Sequence, residues 1–532
     1  MFETNFSAPD AVIVVLYLLG TVALGVYVNR HIHSAGDFLV GGRASGASLS
    51  IATLIGTELG LVTLMYAAIE GFVGGFAYLM TPVIWGVVTL AIGLSGVGIA
   101  RMRRLRLTTI PEYFQRRYNR RVRVTAGVVC VIAGVLNMSI FPKMGAVFLT
   151  FATGYGGRDD IETIIKVITT VLVLLVLLYT ALGGMVAVIV TDYVQFVVLS
   201  IGLLLGLVFC LSSPGLNWDN VVTSWQSANG EAAMNPVVAP RYGWDYLVLQ
   251  VMLAATATIC WAPNATRSLT TADEATTRRA YALASTGLFA RFAIPGLWGI
   301  IAFTFLHLAD GPQGLSHYFS EAQLELHDGR AAQAMPLLLG KVLPSIWLGI
   351  LMAGLMAAFM STHDSYLLAW SSVATQDVVA PLLGRELTSG ERIWATRLFI
   401  LAIGAFLIVV GIWFELPDNV WKFLSITGTI YLSGSAAALL GGMYWRGASS
   451  TGALMSIVGG MLAALGLIDE WLQQQLALAL GYVSPDGEPV FKQVSQYVNG
   501  FTIAIACFVT CAVLFVVGSL LFPDEEEGGG VS

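Results

Sequence analysis

Long apolar runs recur along almost the whole chain, and they constrain its fold more than any other feature. Residues 167–178 and 197–211 are examples: with their less apolar flanks they reach the length that spans about 30 Å of hydrocarbon. Because 56% of the residues are hydrophobic and only 11% are charged, the chain could not cover a water-exposed surface with polar groups. These features predict an all-α polytopic membrane protein.

About thirteen apolar spans are predicted, and the first lacks the basic flank and cleavage site of a signal peptide, so we expect it to remain as a helix. All five cysteines lie in apolar segments without paired spacing, which is typical of small core residues. These are Cys130, Cys210, Cys260, Cys507 and Cys511. The spans cover residues 10–30, 47–74, 76–100, 124–153, 161–182, 185–212, 245–266, 281–308, 344–376, 392–413, 417–441, 450–470 and 498–522.

The distribution of arginine predicts the orientation of these spans. Nine arginines lie within residues 101–123, so this loop is expected on the cytoplasmic side, without any need for nucleic-acid binding. Alternation along the chain then puts the N-terminus outside and the C-terminus inside. The loops that this topology places in the cytoplasm carry Arg30, Arg43, Arg267, Arg278, Arg279, Arg385, Arg392 and Arg446. The loops that it places outside, which hold few basic residues, are 213–244, 309–343 and 471–497.

Two predicted spans are interrupted in mid-membrane. The second contains Gly56 and Gly60, and the seventh contains Pro263. An interrupted helix exposes backbone groups that other partners must satisfy. The two spans begin two successive groups of five, spans two to six and seven to eleven. Broken helices at corresponding positions of two halves indicate a binding site near the bilayer midplane.

Ionisable residues inside or near the spans are a second indication of a site. They are Glu58, Lys143, Asp192, Arg291 and Asp364. Each would cost several kcal/mol or more at the bilayer centre unless it were paired or hydrated. Lys143 fits a structural ion pair or the membrane interface as well as a binding site. We expect Arg291 to extend toward the cytoplasm.

A polar stripe in the ninth span suits a cation. On a helix, Ala358, Ser361, Thr362 and Ser365 share one face, with Asp364 beside it. Hydroxyl and carbonyl oxygens are ligands that hard cations such as sodium prefer. Helix packing through small residues, with hydroxyls bonded to carbonyls of the preceding turn, would explain the same pattern.

Five segments in order resemble the sodium:solute symporter family, which contains the sodium–glucose, sodium–proline, pantothenate and sialic acid transporters. The resemblance covers about residues 10–455 and depends on the set, since each segment alone is weak. The segments are AGDFLVGGR (35–43), TIPEYFQRRYNRRVR (109–123), YTALGGMVAVIVTDYVQ (179–195), AFMSTHDSYLLAWSSVATQD (358–377) and GGMYWRGASSTGA (441–453).

The resemblance implies a LeuT-like fold of two inverted five-helix repeats and sodium-coupled symport of a small organic solute by alternating access. The repeats would be residues 47–212 and 245–441. An extra helix at 10–30 would precede them, two helices at 450–522 would follow, and 523–532 would form a disordered acidic cytoplasmic tail. The implied partners are Na⁺, the solute and the bilayer of a bacterial inner membrane, with the chain a monomer or a weak homo-oligomer. No organic cofactor or transition metal is expected.

The resemblance also implies site residues. The sodium ligands would be the carbonyl oxygens of Ala52, Ile55 and Ala358 and the hydroxyls of Ser361 and Thr362. In some family members a matching aspartate helps to bind a second cation, for which the candidates are Asp192, Ser361, Asp364 and Ser365. The candidate solute ligands are Thr53, Thr57, Glu58, Asn137, Lys143, Trp261 and Asn264.

The solute class follows from two of these candidates. Glu58 would suit an amine or the hydroxyls of a polyol, whereas Lys143 would suit a carboxylate. Together they favour an amino acid or related organic acid over a sugar or polyol. A proton-coupled carrier of the same fold, or a membrane sensor, remains an alternative. An enzyme is not indicated, because the sequence has no His/Cys cluster, Ser-His-Asp set or phosphate-binding loop.

Overall fold

The computed structural model describes residues 3–28, 46–307, 328–417, 419–482, 492–495 and 497–524. These residues form helices with short connections and no strand, which confirms the all-α prediction. The segment 35–43, Arg30, Arg43 and most of the predicted acidic tail lie outside the described residues.

The helices of the first half run from the N-terminal segment to a long helix, α9, whose non-helical Gly184 (φ 52°, ψ −157°) separates two apolar stretches. The bounds are α1 Ala8–Val28, α2 Ala47–Glu58, α3 Leu61–Gly74, α4 Met80–Ser95, α5 Ile99–Arg104, α6 Ile110–Arg117, α7 Arg120–Met138, α8 Phe141–Ala152 and α9 Ile161–Ser212. Short 3₁₀ segments lie at Gly75–Leu79 and Tyr155–Gly157.

The second half contains a broken helix, formed by α11 and α12, that corresponds to the broken helix α2–α3 of the first half. The bounds are α10 Trp218–Asn229, α11 Trp244–Cys260, α12 Ala262–Thr270, α13 Glu274–His307, α14 Asp328–Val342, α15 Trp347–Val373, α16 Ala380–Leu383, α17 Ser389–Trp413, α18 Val420–Tyr444, α19 Ser450–Gly459, α20 Asp469–Ala479, α21 Lys492–Ser495 and α22 Gly500–Leu521. Gly230–Ala233 and Gly460–Ile468 are 3₁₀ segments, and Ala374–Val379 is a π-helical segment after α15.

Nine helical stretches of the described residues are long and apolar enough to cross a membrane, or ten if the bent pair α11–α12 is one span. The predicted count of about thirteen stays a prediction. The 27-residue helix α15 is not in this set, because its serine, threonine, histidine and aspartate residues lower its mean hydropathy. It is nevertheless buried along almost its whole length, in contact with α1, α7, α9 and α17.

Three of the segments that resemble the family meet at one end of the bundle. Arg123 donates through Nε to Oδ1 of Asp377 at 2.8 Å, and Thr109 donates to the same oxygen at 2.8 Å. Arg117 donates to the carbonyl oxygens of Gly442 at 3.1 Å and Ala448 at 3.0 Å. The arginine-rich connection therefore joins the end of α15 to the end of α18.

The α3–α13 crossing depends on glycine. A methyl group at Gly299 would overlap the carbonyl oxygen of Ala68, and one at Gly71 would overlap that of Gly296. Because these neighbours are backbone atoms, neither could turn aside as a side chain would. Small residues at such crossings let helices in a membrane protein approach closely.

We expect Gly299→Ala to destabilise the protein by about 3 kcal/mol, because the added methyl must force α3 and α13 apart. The matched control is Gly20→Ala in α1, where an added Cβ meets no atom within 4 Å. Thermal unfolding of the detergent-purified variants, followed by size-exclusion chromatography, measures the difference. Equal unfolding temperatures for Gly299→Ala and Gly20→Ala would contradict the close crossing.

Candidate functional site

The first helix break separates α2 from α3 at Leu59 and Gly60. The amide of Leu59 still bonds the carbonyl oxygen of Ile55 at 2.8 Å, but the last carbonyls of α2 have no further helical turn to bond. The carboxyl end of a helix carries a partial negative charge, so this break favours a cation. The hydroxyl of Thr362 in α15 donates to the carbonyl oxygen of Thr57 there at 3.3 Å.

The second break separates α11 from α12 at Trp261. The two helices are bent by 44°, Trp261 has extended backbone angles (φ −67°, ψ 120°), and Pro263 lies in the first turn of α12. The carbonyl oxygen of Asn264 in that turn accepts a 2.7 Å hydrogen bond from the hydroxyl of Tyr281. Helix α12 packs directly on α2, so the two breaks are neighbours. Both interruptions predicted from the sequence are present.

A cavity of about 90 Å³ lies beside the two breaks. Most of its wall is aromatic or aliphatic. The aromatic residues are Tyr66, Trp85, Phe141, Trp261, Tyr366 and Trp421, and the polar ones are Glu58, Thr63, Asn137, Asn264, Arg291 and Ser425.

An ion pair between Glu58 and Arg291 lines this cavity. Nη1 of Arg291 donates to Oε2 of Glu58, and each side chain is only 6% exposed. The guanidinium also lies 4.2 Å from the ring centroid of Phe292 and 5.3 Å from that of Trp85. The expectation that Arg291 extends to the cytoplasm is therefore wrong, because a buried carboxylate and two aromatic rings hold it in the interior.

Several polar atoms of the cavity wall have no hydrogen-bond partner among the described residues. They are Oε1 of Glu58, Nε of Arg291, Oδ1 of Asn264, Oγ of Ser425 and Nε1 of Trp421. A buried polar atom without a partner costs roughly 1–3 kcal/mol, so each of these atoms would be stabilised by a hydrogen bond from a bound solute. Both members of the ion pair thus retain hydrogen-bonding capacity for a solute.

The residues named for sodium lie where α2 meets α15. Ala52, Ile55, Ala358, Ser361 and Thr362 are all buried. A methyl group at Gly56 of α2 would lie 3.5 Å from the hydroxyl of Ser361, and the hydroxyl of Thr362 faces the α2 terminus. Helix packing thus brings the two hydroxyls of the α15 stripe to the carbonyl-rich end of α2.

Two of the four residues named for a second cation, Asp192 and Ser365, contact an arginine. Nη2 of Arg267 in α12 lies 3.2 Å from Oδ2 of Asp192 and also donates to the hydroxyl of Ser365. Its Nε donates to the hydroxyl of Thr57 at 2.8 Å. The side chain of Arg267 is only 1% exposed, so its predicted place in a cytoplasmic loop is wrong. The predicted apolar span ends one residue before Arg267, whereas α12 continues to Thr270.

The solute candidates divide between three places. Glu58, Asn137, Trp261 and Asn264 line the cavity. Thr53 donates to Asp192 at 2.5 Å, and Thr57 accepts a hydrogen bond from Arg267. Both threonines therefore belong to the charged cluster around Asp192 and Arg267. The ammonium of Lys143 donates to the carbonyl oxygen of Phe414 at 2.5 Å, and Lys143 is not among the residues of the cavity wall.

Asn137 and Trp261 are held by hydrogen bonds. The amide of Asn137 donates to the carbonyl oxygen of Leu424 and the hydroxyl of Thr427, both at 2.9 Å. The indole of Trp261 donates to the hydroxyl of Tyr366 at 2.9 Å. Both side chains are therefore positioned before a solute binds.

Comparison with known proteins agrees with this arrangement. The profile of the sodium:solute symporter family matches residues 38–460. The chain belongs to this family. It is 22% identical to the sodium/proline symporter of Haemophilus influenzae, over 95% of this chain and 94% of the relative. It is 26% identical to the sodium/pantothenate symporter of the same organism, over 84% and 88% of the two chains.

A solved structure shares the fold. The substrate-bound, outward-open structure of a Na⁺-coupled sialic acid symporter superposes with a TM-score of 0.72 at 19% identity, covering 98% of this chain and 99% of that one. The predicted LeuT-like fold is thereby confirmed. As a family member the chain is a membrane transporter that couples solute symport to sodium.

Removal of the Ser361 or Thr362 hydroxyl tests the proposed sodium site at the α2–α15 interface. If Ser361 and Thr362 are sodium ligands, Ser361→Ala and Thr362→Ala should each weaken ²²Na⁺ binding to the purified protein about 10-fold or more. Ser371→Ala removes a buried hydroxyl from the same helix away from this interface and should leave the affinity unchanged. Wild-type affinity in both stripe variants would contradict the assignment.

Proposed function

We propose that this symporter carries a zwitterionic amino acid, or a close chemical relative, in the cavity beside the two helix breaks. The observation that supports this most is the buried ion pair of Glu58 and Arg291. It offers one negative and one positive partner on the same wall, each with an unpartnered polar atom. The amine of the solute would bind Glu58 and its carboxylate would bind Arg291.

Charge balance favours a solute without net charge. The ion pair is neutral as a whole, so a zwitterion can bind both members without adding charge to a low-dielectric cavity. A sugar would offer only hydroxyls to two desolvated charges. Arg291 takes the role of carboxylate ligand that the sequence had suggested for Lys143. The aromatic walls would contact the apolar part of the solute.

The solutes named for the three proteins compared above agree with an arginine that binds the carboxylate of the solute. Proline, pantothenate and sialic acid, which appear in the descriptions of the three relatives above, are all carboxylic acids. A guanidinium is the side chain best suited to pair with a carboxylate through two parallel hydrogen bonds. Proline also carries the amine that Glu58 would bind.

We propose that sodium binds between the end of α2 and the α15 stripe, with the ligands named from the sequence. Glu58 is the last residue of α2 and reaches the cavity, while the carbonyl oxygen of the preceding Thr57 accepts a bond from Thr362. An ion that orders this terminus would also position Glu58. Sodium and solute would then strengthen each other's binding, as symport requires.

Residues of one chain form both the cavity and the charged cluster, which supports function as a monomer or a weak homo-oligomer. The bacterial relatives and the apolar helices support residence in a bacterial inner membrane. The arginine-rich connection at one end of the bundle supports its predicted cytoplasmic location.

Sodium-driven uptake into proteoliposomes tests the solute class. We expect at least one ¹⁴C-labelled amino acid to accumulate, and the same acid without its amine, as well as D-glucose, to accumulate far less. Glu58→Gln and Arg291→Lys should each raise the KM for that amino acid about 10-fold or more, because each removes one charged or bidentate contact.

The controls are Glu162→Gln and Arg158→Lys, which alter charged side chains at the exposed start of α9 and should transport like wild type. Preferential accumulation of glucose would overturn the proposed solute class. Unchanged KM values in both Glu58→Gln and Arg291→Lys would show that the ion pair does not bind the solute.

A further inference from the structure

Arg267 occupies the centre of the charged cluster between α2, α9, α12 and α15. Its Nη2 contacts Oδ2 of Asp192 at 3.2 Å and the hydroxyl of Ser365, and its Nε contacts the hydroxyl of Thr57 at 2.8 Å. Its Nη1 lies 2.8 Å from the sulfur of Met185. All three nitrogens of the guanidinium therefore have partners from three other helices.

These partners are the groups that a second cation beside Asp192 would need. Ser361 donates to Oδ1 of Asp192, while Thr53 and Arg267 both donate to Oδ2. Ser365 has its oxygen turned to Arg267 and also bonds Asp364 at 3.2 Å. Donors already bind both oxygens of Asp192.

Repulsion by the charge of Arg267 would also disfavour a second cation beside Asp192. In the effective dielectric typical of proteins, repulsion between two unit charges about 4 Å apart would raise the dissociation constant of the second cation on the order of 1,000-fold. Within the cluster, Arg267 already offsets the charge of Asp192. A sodium ion beside Asp192 would therefore add positive charge next to an existing cation.

We infer that Arg267 is the resident cation of this cluster and that the chain consequently binds a single sodium ion in each transport cycle. The guanidinium takes the position beside Asp192 that a second ion would otherwise fill. Because Arg267 is covalently part of the half-helix α12, it is not released during transport as a bound ion is. This inference rests on the proposed sodium site between α2 and α15 and specifies its stoichiometry.

Equilibrium binding of ²²Na⁺ to the purified full-length protein tests the inference without knowledge of the solute. We expect one ion per chain and a Hill coefficient of about 1. Arg267→Lys, which retains the charge, should also bind one ion. Arg267→Gln leaves Asp192 without its cation and should bind two ions per chain, a change that a purely structural role of Arg267 would not produce.

The wild-type stoichiometry keeps the inference falsifiable if Arg267→Gln does not fold. The double variant Asp192→Asn/Arg267→Gln is the control for the site of the second ion: it should bind one ion, because the carboxylate beside Arg267 is also removed. Two ions in the wild type, or a single ion in folded Arg267→Gln, would overturn the inference and leave the proposed function intact. Absence of sodium binding in the wild type would overturn the proposed sodium site and this inference together.

Discussion

Compensation of charge inside a low-dielectric bundle is the constraint on which the rest of this structure depends. An unpaired charge in such an interior is costly, so each buried ionic group needs an opposite partner or a bound ion. Arg291 pairs with Glu58, Arg267 with Asp192, and Arg123 with Asp377. The first two pairs join the broken helices to α13 and α9, and the hydrogen bond from Arg267 to Thr57 joins the broken helices to each other.

The end of α2 links the charged cluster around Asp192 and Arg267 to the cavity. Within two residues, the hydroxyl of Thr57 contacts Arg267, its carbonyl oxygen accepts the bond from Thr362, and the side chain of Glu58 reaches the solute cavity. We therefore expect a change at the charged cluster to move Glu58, the carboxylate proposed to bind the solute, because both belong to one short helix terminus. Such a shared element provides a physical basis for coupling between two sites.

The sequence predicted much of this arrangement from local patterns. Apolar runs predicted the helices, Gly60 and Pro263 predicted the breaks, and spacing placed Ser361 and Thr362 on one face. The predicted locations of Arg267 and Arg291 are wrong because their partners are distant in sequence. Glu58 lies 233 positions from Arg291, and Asp192 lies 75 positions from Arg267. Hydropathy alone treats an arginine near the end of a span as a residue at the membrane surface, and only the tertiary contacts show otherwise.

An experimental density map of the protein in lipid nanodiscs, recorded in sodium chloride, would test the account most directly. We expect one ion between the carboxyl end of α2 and the hydroxyls of Ser361 and Thr362, with the guanidinium of Arg267 still bonded to Asp192. A second ion bound to Asp192, with Arg267 turned away from it, would contradict the account.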